Sequence, residues 1–420
     1  MKLILLLCSV LGAFFCIPTA AVQAEDWPGY RGATGDGIST EKLNLNWSAK
    51  PPKVLWKVPT NTGFSSFAVG GGKAFTQVVR DMNGSPREIC VALDAATGKE
   101  LWAADLAVGK GYSGGGKGDG PRSTPAVSDG VVCVLTPDLV LHGLAAETGR
   151  PLWTHDLLKE YAAKNIGWNS AASPVIDGDL VFVMGGGAGQ SLLAFNKKSG
   201  QVVWKTGTEA ITHATPVAAT ILGERQVIFF CQSGLVSLAA KDGSLLWKFP
   251  YKHQGSSAAS PVVSGDIVYC SAAYNVGGGA CKITRQGLSY TATPLWQTPG
   301  NAEVANHWST PVCKDGHIYG MFGHGGYNVG PLKCVEIATG KIKWTQPGFG
   351  VGNVILADGK ILALADNCDL VVVDPTPDAY KELARIKTVA GKCWSTPAVS
   401  NGRIFVRSTE EGACLEVLPP

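Results

Sequence analysis

Residues 92–102 read ALDAATGKELW, and this stretch decides the fold because looser copies of it recur along the chain. Each copy runs from an apolar segment through a turn that ends in glycine to a tryptophan four residues later, and the glycine supplies the positive φ angle that such a turn needs. Further copies close at 149–153, 200–204, 243–247 and 340–344, a stretched version ends at Trp296, and an isolated Trp56 lies near the start. The tryptophans are 43 to 51 residues apart, a period that suits four short strands and their turns.

Each repeat also has a characteristic opening. A Ser-Pro or Thr-Pro pair begins the unit, and an Asp-Gly, Gly-Asp or Asn-Gly pair then separates two apolar runs, which is typical of a two-residue β-hairpin. The openings are Thr124-Pro125, Ser173-Pro174, Thr215-Pro216, Ser260-Pro261, Thr310-Pro311 and Thr396-Pro397. Two degenerate openings, at 64–69 and 352–355, bring the count to eight units.

The two ends of the repeat region complete one another. The seventh unit ends without tryptophan, at 383–386, and the eighth, at 396–418, has only three strands. The segment around Trp56, at 54–58, supplies the missing fourth strand. The sequence therefore predicts an all-β fold, an eight-bladed β-propeller of four-stranded antiparallel blades whose ring closes when the N-terminal strand joins the last blade. Helical periodicity is confined to 157–164 and 378–386, which we expect to lie in connections.

The first 24 residues have the pattern of a signal peptide. Lys2 precedes an apolar stretch at 3–17, and residues 22–24 read VQA, a small-residue cleavage site. A retained membrane anchor and lipid attachment at Cys16 are the alternatives, but the stretch is short for a span and no small-residue box precedes Cys16. We expect a signal peptide at 1–24, an N-terminal extension at 25–52 and the propeller at 53–420, in a protein exported to the periplasm or the extracellular medium.

Composition narrows the classes of partner. The chain has 36 Lys and Arg against 33 Asp and Glu, so it lacks the basic footprint of a nucleic-acid-binding protein. No stretch beyond residue 24 is long and apolar enough to suggest a transmembrane span. We expect a monomer that binds neither nucleic acid nor membrane.

Ten cysteines remain after residue 24, and most lie in apolar runs. We interpret them as small buried hydrophobic residues rather than as metal ligands, because no C-x-x-C occurs. Cys270 and Cys281 flank one predicted loop and are the pair we expect to form a disulfide. The seven histidines are scattered without metal-binding spacing, so no metal site is expected.

The stretch at 92–102 resembles the Ala-x-Asp-x-x-x-Gly-x-x-x-Trp docking motif of the pyrroloquinoline-quinone-like (PQQ-like) propeller family. The sequences DWPGYRG at 26–32 and GDG at 35–37 also resemble the start of exported bacterial members of that family. The resemblance covers the whole predicted mature chain and implies the fold. It leaves the function open, because the family includes quinoprotein dehydrogenases and the periplasmic propeller of the outer-membrane assembly machinery.

The repeated tryptophans are expected to be structural. Their fixed place at the end of each unit favours packing between blades over cofactor binding. This set is Trp56, Trp102, Trp153, Trp204, Trp247, Trp296 and Trp344.

Residues that depart from the repeat at equivalent positions are the candidates for binding. In a propeller, the segment before the innermost strand and the loop between the second and third strands emerge on one face, at the mouth of the central channel. Aligning the units on their Ser/Thr-Pro pairs, and adding the adjacent residues and the second-to-third loops, gives the expected binding set: Arg122, Trp168, Asn169, His213, Tyr274, Asn275, His307, Trp308, His324, Tyr327, Asn328 and Trp394. Aromatic, imidazole and guanidinium groups would converge there, as a binding site requires.

The preferred interpretation is an exported, non-catalytic propeller that binds a protein or glycan partner across this rim, with no cofactor. The alternative is a pyrroloquinoline-quinone-dependent dehydrogenase that oxidises alcohols or sugars, with calcium at the cofactor. Of the aligned mouth residues, Arg122, Trp308 or Trp394 would then hold the quinone. Against this alternative, the adjacent cysteine pair of many quinoprotein alcohol dehydrogenases is absent, and the aligned mouth positions contain no acidic residue. No catalytic residue is assigned.

Overall fold

Each repeat folds into strands that become more exposed to solvent from the inside of the molecule to its surface. In the second unit, the five residues of the second strand, Val131–Leu135, are all buried, because other strands cover both of its faces. The outermost strand, Pro151–Asp156, lies at the surface and buries none of its residues fully. The structure is a computed structural model that describes residues 26–109, 120–253, 257–300, 303–323 and 329–419. The signal peptide predicted at 1–24 lies outside the described residues.

The described residues form 33 strands and one short helix. In chain order they are β1 (Ile38–Ser39), β2 (Lys53–Pro59), β3 (Ala68–Gly70), β4 (Lys73–Met82), β5 (Ser85–Asp94), β6 (Glu100–Val108), β7 (Ala126–Ser128), β8 (Val131–Leu135), β9 (Val140–Ala145), β10 (Pro151–Asp156), α1 (Leu157–Glu160), β11 (Val175–Asp177), β12 (Leu180–Met184), β13 (Leu192–Asn196), β14 (Val202–Thr206), β15 (Val217–Ile221), β16 (Glu224–Cys231), β17 (Gly234–Ala239), β18 (Leu245–Pro250), β19 (Val262–Ser264), β20 (Ile267–Ala272), β21 (Gly277–Gln286), β22 (Ser289–Thr298), β23 (Val312–Lys314), β24 (His317–Met321), β25 (Leu332–Glu336), β26 (Ile342–Gln346), β27 (Asn353–Ala357), β28 (Lys360–Leu364), β29 (Asp369–Val373), β30 (Glu382–Lys387), β31 (Ala398–Ser400), β32 (Arg403–Arg407) and β33 (Glu411–Glu416).

The strands make eight antiparallel sheets, which we number as blades 1 to 8 from β3 onward. Blades 1 to 7 take four consecutive strands each, from β3–β6 to β27–β30, with the first strand innermost. Blade 8 has the order β2-β33-β32-β31, so the N-terminal strand β2 is its outermost strand. The predicted eight-bladed all-β propeller and its mode of closure are confirmed. No helix in these ranges has the length and apolar character needed to cross a membrane.

The repeated tryptophans lie between blades. The indole Nε1 of Trp204 donates to the carbonyl oxygen of Ala240 at 2.9 Å, in the turn of the next blade that ends at Gly243. A Cβ added to Gly243, whose φ is +71°, would lie 2.7 Å from the Trp204 ring, so glycine is needed for the close approach as well as for the turn. Trp102, Trp153 and Trp296 repeat this contact with their neighbours, and Trp56 makes it from the last blade to the first.

Two of the seven tryptophans depart from this pattern. Trp344 donates to the carbonyl of Thr376 at 2.8 Å, in a turn that carries no equivalent glycine. Trp247 donates to the side chain of Gln226 in its own blade at 2.7 Å. Blade 5 has a long hairpin of β21 and β22 in place of the glycine turn, which leaves no matching carbonyl for Trp247.

The hydroxyl groups of the Ser/Thr-Pro openings also join the blades. The backbone N–H of Thr124 donates to Ser173 Oγ at 2.9 Å, and the N–H of Ser173 donates to Thr215 Oγ1 at 2.9 Å. The same bond leads from Ser66 to Thr124, from Ser260 to Thr310 and from Thr396 to Ser66. Serine or threonine at this position, which precedes proline in each of these blades except the first, therefore links neighbouring innermost strands around the channel.

Residues 26–39, which we call the N-terminal segment, cross the channel. Trp27 exchanges two backbone hydrogen bonds with Val69 in blade 1, and the carbonyl of Pro28 accepts from blade 2. The segment then reaches the opposite side, where Arg31 donates to the carbonyls of Thr310 and Pro311 at 2.8 and 2.7 Å. Strand β1 pairs in parallel with β27 of blade 7. These contacts lie near the first-to-second strand turns, on the face opposite the mouth, which we call the turn face.

Two expectations are wrong. Cys270 and Cys281 are free thiols. Cys270 pairs with Gly279 across the β20–β21 ladder, so Cys281 is its diagonal neighbour, and diagonal Cα atoms are about 7–8 Å apart, beyond the usual span of a disulfide. A disulfide instead joins Cys368 to Cys393, whose Cα atoms are 5.2 Å apart. The helical periodicity at 378–386 does not produce a helix, because this segment contributes to β30 and completes blade 7.

Candidate functional site

The mouth face carries the segments before the innermost strands and the second-to-third strand loops. One cluster there, which we call the aromatic row, joins blades that are distant in sequence. Ring centroids are 5.3 Å apart between Tyr274 and His307, and 4.5 Å between His307 and Trp308. The row continues from Trp308 to Trp394 at 4.6 Å and from Trp394 to Phe64 at 4.9 Å. It therefore covers the rim from blade 5 to blade 1.

The middle of the aromatic row bridges blade 7, whose corresponding position carries Val351 instead of an aromatic residue. Trp308 Nε1 donates to the carbonyl of Val351 at 2.9 Å, and Asn353 Nδ2 donates to the carbonyl of Trp394 at 2.6 Å. The indole of Trp308 and the backbone of Trp394 are thus fixed by polar contacts, and the two rings also pack on each other. Trp308 and Trp394, 86 positions apart in sequence, become adjacent because blade 7 leaves the space between them open.

A second cluster, which we call the braced turn, surrounds Trp168. Arg122 Nη1 from blade 2 donates to the carbonyl of Trp168 at 2.8 Å. His213 Nε2 from blade 4 hydrogen-bonds to the carbonyl of Gly167 at 2.9 Å. Burial lowers the pKa of His213 to about 4, so the imidazole is neutral at neutral pH and its Nε2–H is the donor. Arg122 and His213, both predicted binding residues, therefore hold the turn that carries Trp168, a third predicted binding residue.

Trp168 and Tyr274 share an unusual backbone. Trp168 and Asn169 have φ angles of +62° and +61°, and Tyr274 and Asn275 have +55° and +65°. Successive non-glycine residues in the left-handed region cost about 1–2 kcal/mol each, and such strain concentrates at functional sites. Both aromatic side chains are exposed, Trp168 by 47% and Tyr274 by 43%. Two large aromatic side chains are thus held exposed to solvent by a backbone conformation that is locally unfavourable.

The two clusters are connected around the rim. The N–H of His213 donates to the carbonyl of Ser257 at 2.9 Å, and the N–H groups of Ala258 and Ala259 both donate to the carbonyl of His307 at 2.8 Å. The predicted residues that are described thus form two groups on one surface. His324, Tyr327 and Asn328 lie outside the described residues.

Sequence alignment of the openings missed three groups at this mouth. Phe64 lies in a degenerate opening, and Lys392 places its ammonium 4.4 Å from the centroid of the Trp394 ring. Asp366, in the loop between β28 and β29, accepts the N–H of Cys393 with its backbone carbonyl at 2.9 Å. Burial raises the pKa of the Asp366 carboxyl, and the nearby Lys392 opposes this. An acidic group is therefore present at the mouth, but in a second-to-third loop that the aligned positions did not include.

The sequence of the propeller region matches a known family. The family model described as outer membrane protein assembly factor BamB matches residues 86–346, more than half of the chain. The chain belongs to this family. The expected membership of the PQQ-like propellers is thereby confirmed.

Members of the BamB family with similar sequences cover much of this chain. The outer membrane protein assembly factor BamB of Burkholderia pseudomallei is 28% identical in an alignment of 267 positions that covers 54% of this chain and 67% of that protein. BamB of Yersinia pestis is 22% identical in an alignment of 285 positions that covers 64% of this chain and 67% of that protein.

Solved structures of this architecture include BamB of Moraxella catarrhalis, with a TM-score of 0.61 and 15% identity over 87% of this chain and 97% of that one. The quinohemoprotein alcohol dehydrogenase of Comamonas testosteroni has a TM-score of 0.68 and 12% identity over 95% of this chain and 81% of that one. At these identities the likeness shows the fold alone.

The arrangement at the mouth does not fit the quinone that the resemblance implied. A planar cofactor needs an open aromatic face, whereas Phe64, Trp308 and Lys392 already pack on Trp394. Arg122 is engaged with the backbone of the braced turn. Among the described His, Cys, Asp and Glu side chains, no group of three or more could hold a metal ion. We therefore derive no reaction step through a quinone or calcium.

Proposed function

We propose that this member of the BamB family is an exported, non-catalytic binding protein whose mouth face docks a protein partner. The observation that carries the proposal is the pair of exposed aromatic residues, Trp168 and Tyr274, held on left-handed turns. Tryptophan and tyrosine are the side chains most often found as anchors in protein interfaces, because they bury a large area with few rotatable bonds.

The construction around Trp168 supports a binding role over a packing role. A residue needed only for packing would be buried, whereas the indole of Trp168 is exposed and only its backbone is held, by Arg122 and His213. Fixing an anchor before binding lowers the entropy that the complex must lose on forming. The aromatic row supplies a continuous surface from Tyr274 onward, and Lys392 places its positive charge over the ring of Trp394 in that row.

The similar proteins named outer membrane protein assembly factor point to the setting. We place this chain in the periplasm as a monomer that binds a protein engaged in outer-membrane assembly, with no cofactor. A protein partner is favoured over a glycan because Trp168 and Tyr274 project from the surface, whereas sugar rings are usually held in a recess lined by several polar groups.

Photo-crosslinking in cells tests this proposal. A photoreactive phenylalanine analogue replaces Trp168 in one variant and Leu288 in a matched control, since Leu288 is 89% exposed on the turn face. We expect a discrete protein adduct from position 168 that is absent from position 288, with the partner identified by mass spectrometry.

The same experiment separates the alternatives. An adduct that persists at position 168 after Tyr274→Ala, Arg122→Ala and His213→Ala are combined would show that the mouth residues do not define the contact. Equal adducts from positions 168 and 288 would place the interface elsewhere. No protein adduct, together with saturable binding of a glycan that Trp168→Ala abolishes, would replace the protein partner with a glycan.

A further inference from the structure

The turn face holds a cavity of about 400 Å³ between the N-terminal segment and the innermost strands of blades 2 to 5. Its lining includes Tyr30 of the segment, Ile176 of β11, Ala218 of β15 and Ser260 of blade 5. The ion pairs Lys197–Asp129 and Arg225–Asp177 also contribute. The cavity lies on the opposite face from the aromatic row and the braced turn, so it is independent of the proposed partner site.

The N-terminal segment shows what the inner edges of the blades bind. The N–H of Val69 in blade 1 donates to the carbonyl of Trp27 at 2.7 Å, and the N–H of Val127 in blade 2 donates to the carbonyl of Pro28 at 2.7 Å. On the other side, the N–H of Leu356 in blade 7 donates to the carbonyl of Gly37 at 2.8 Å. Each donor lies two residues before the first-to-second strand turn of its blade. One carbonyl of an extended chain is therefore bound by each of these blades.

The equivalent donors of blades 3 and 4 face the cavity. Ile176 and Ala218, like Val127, lie two residues after the proline of their Ser/Thr-Pro openings, and both line the cavity. Ala218 lies four residues before its turn instead of two because β15 is longer, a difference that keeps it on the same side of the alternating strand. Their equivalent place in the antiparallel ladders implies that their N–H groups point toward the channel, as that of Val127 does. The N-terminal segment turns away before reaching them, with a hydrogen bond from the N–H of Gly32 to the carbonyl of Gly29 at 3.1 Å.

Ser260 provides an independent indication. Its hydroxyl is buried and has no hydrogen-bond partner, although the side chain is only 2% exposed. The ring of Ser/Thr hydroxyl contacts around the channel is broken at this point, since Thr215 does not donate to Ser260 in the way that Ser173 donates to Thr215. A buried hydroxyl without a partner destabilises the free protein, and a ligand that bonds to it would remove that cost.

We propose that this cavity binds an extended peptide segment whose consecutive carbonyl oxygens accept the inward N–H groups of Ile176 and Ala218. The bound segment would continue, in blades 3 and 4, the contacts that Trp27 and Pro28 make in blades 1 and 2. The hydroxyl of Ser260 completes the polar contacts, and Val175 and Val217 supply the apolar walls. An extended peptide matches this geometry because its carbonyls are spaced along the chain and it adds to a free strand edge.

The test uses the full mature chain and the capped tripeptide acetyl-Ala-Pro-Gly-amide. Amide resonances of ¹⁵N-labelled protein are followed during titration, with glucose as a polar non-peptide control. We expect saturable shifts at Ile176 and Ala218 with a dissociation constant of about 1 mM, and none with glucose. Shifts with glucose alone, or no shift at these residues up to about 10 mM peptide, would overturn the proposal.

Two variants locate the contacts. Ala218→Pro removes only an inward N–H, a change that an edge strand tolerates, and should weaken peptide binding about tenfold. The matched control is Val263→Pro, the equivalent change in blade 5, which should bind as the wild type does. Ser260→Ala removes a hydroxyl that makes no bond in the free protein, so it should fold normally and bind several-fold more weakly. Unchanged binding in both Ala218→Pro and Ser260→Ala, or equal loss in Val263→Pro, would refute the site.

Discussion

The contact between Trp204 and Gly243 gives a quantitative test of how the blades dock. Gly243→Ala makes two changes at once. It places a β-carbon on a residue at φ +71°, which costs about 1 kcal/mol, and it sets that carbon 2.7 Å from the Trp204 ring. No real β-carbon approaches so closely, so the ring must shift, at a further cost of about 1–3 kcal/mol. The expected loss of unfolding free energy is about 2–4 kcal/mol.

Two comparisons separate the steric part from the conformational part. Gly359 has a φ of +68° and nothing within 4 Å of an added Cβ, so Gly359→Ala should cost only about 1 kcal/mol. Trp204→Ala removes a nearly buried indole that donates to Ala240, and should cost about 3–5 kcal/mol. In that background the alanine at 243 has no ring to displace, so its added cost should fall to about 1 kcal/mol.

Equilibrium urea unfolding, followed by circular dichroism under conditions where refolding is complete, measures all four variants. The coupling between positions 204 and 243 should be about 1–3 kcal/mol. Equal costs for Gly243→Ala and Gly359→Ala, or additive costs in the double variant, would show that the glycine serves its turn alone. The docking explanation of the repeat would then be wrong.

Three further predictions concern other parts of the molecule. Thr124→Val removes the hydroxyl of blade 2 that accepts a backbone N–H from blade 1, and should lower the free energy of unfolding in urea by about 1–3 kcal/mol. An unchanged unfolding midpoint would show that the Ser/Thr hydroxyl contacts around the channel do not stabilise the fold. His213 has a folded pKa of about 4, below the ordinary 6.5, so only the unfolded chain takes up its proton between these values. The stability that the neutral imidazole of His213 contributes is complete above pH 6.5 and is lost as the pH falls toward 4. His213→Gln should therefore reduce the fall in unfolding free energy over this pH range by roughly 3 kcal/mol. Identical pH profiles for the variant and the wild type would contradict this assignment. Thiol titration of the denatured, unreduced mature protein should find eight free groups, because Cys368 and Cys393 are joined, and ten would contradict that pairing.

The blades could be predicted because their signal is local and repeated. The stretch at 92–102 holds a strand, a turn and a docking residue within eleven positions, and the structure uses each as expected. The closure of the ring could be predicted by counting strands, since the strand around Trp56 has no partner near it in the sequence and the last unit lacks one strand. The long hairpin of blade 5 shows the limit. It replaces the glycine turn, so the indole N–H of Trp247 donates to the side chain of Gln226 instead. No repeated pattern in the sequence predicts such a change.

The N-terminal segment was beyond sequence reasoning. Arg31 is 1% exposed, and its partners Thr310 and Pro311 lie 279 and 280 positions away, in a contact that occurs once and so has no period. The sequence DWPGYRG shows turn-forming residues but not which blades they reach.

The mouth was partly predictable. Alignment on the prolines identified Arg122, His213, Trp308 and Trp394, because the fold places equivalent positions at one end of the channel. It could not show that Trp308 and Trp394 pack together or that Arg122 and His213 hold the backbone of a turn, since these contacts depend on side-chain directions. Asp366 was missed because only the second-to-third loops of blades 5 and 6 contributed candidate residues, and the loop of blade 7 did not.

The most direct test of the central claim is the affinity of the purified chain for the partner captured at position 168. Trp168→Ala and Tyr274→Ala should each weaken that affinity at least 30-fold, which corresponds to about 2 kcal/mol for an anchor residue, while Leu288→Ala on the turn face should leave it unchanged. Equal affinities for all three variants and the wild type would contradict the claim that the mouth face is the docking surface.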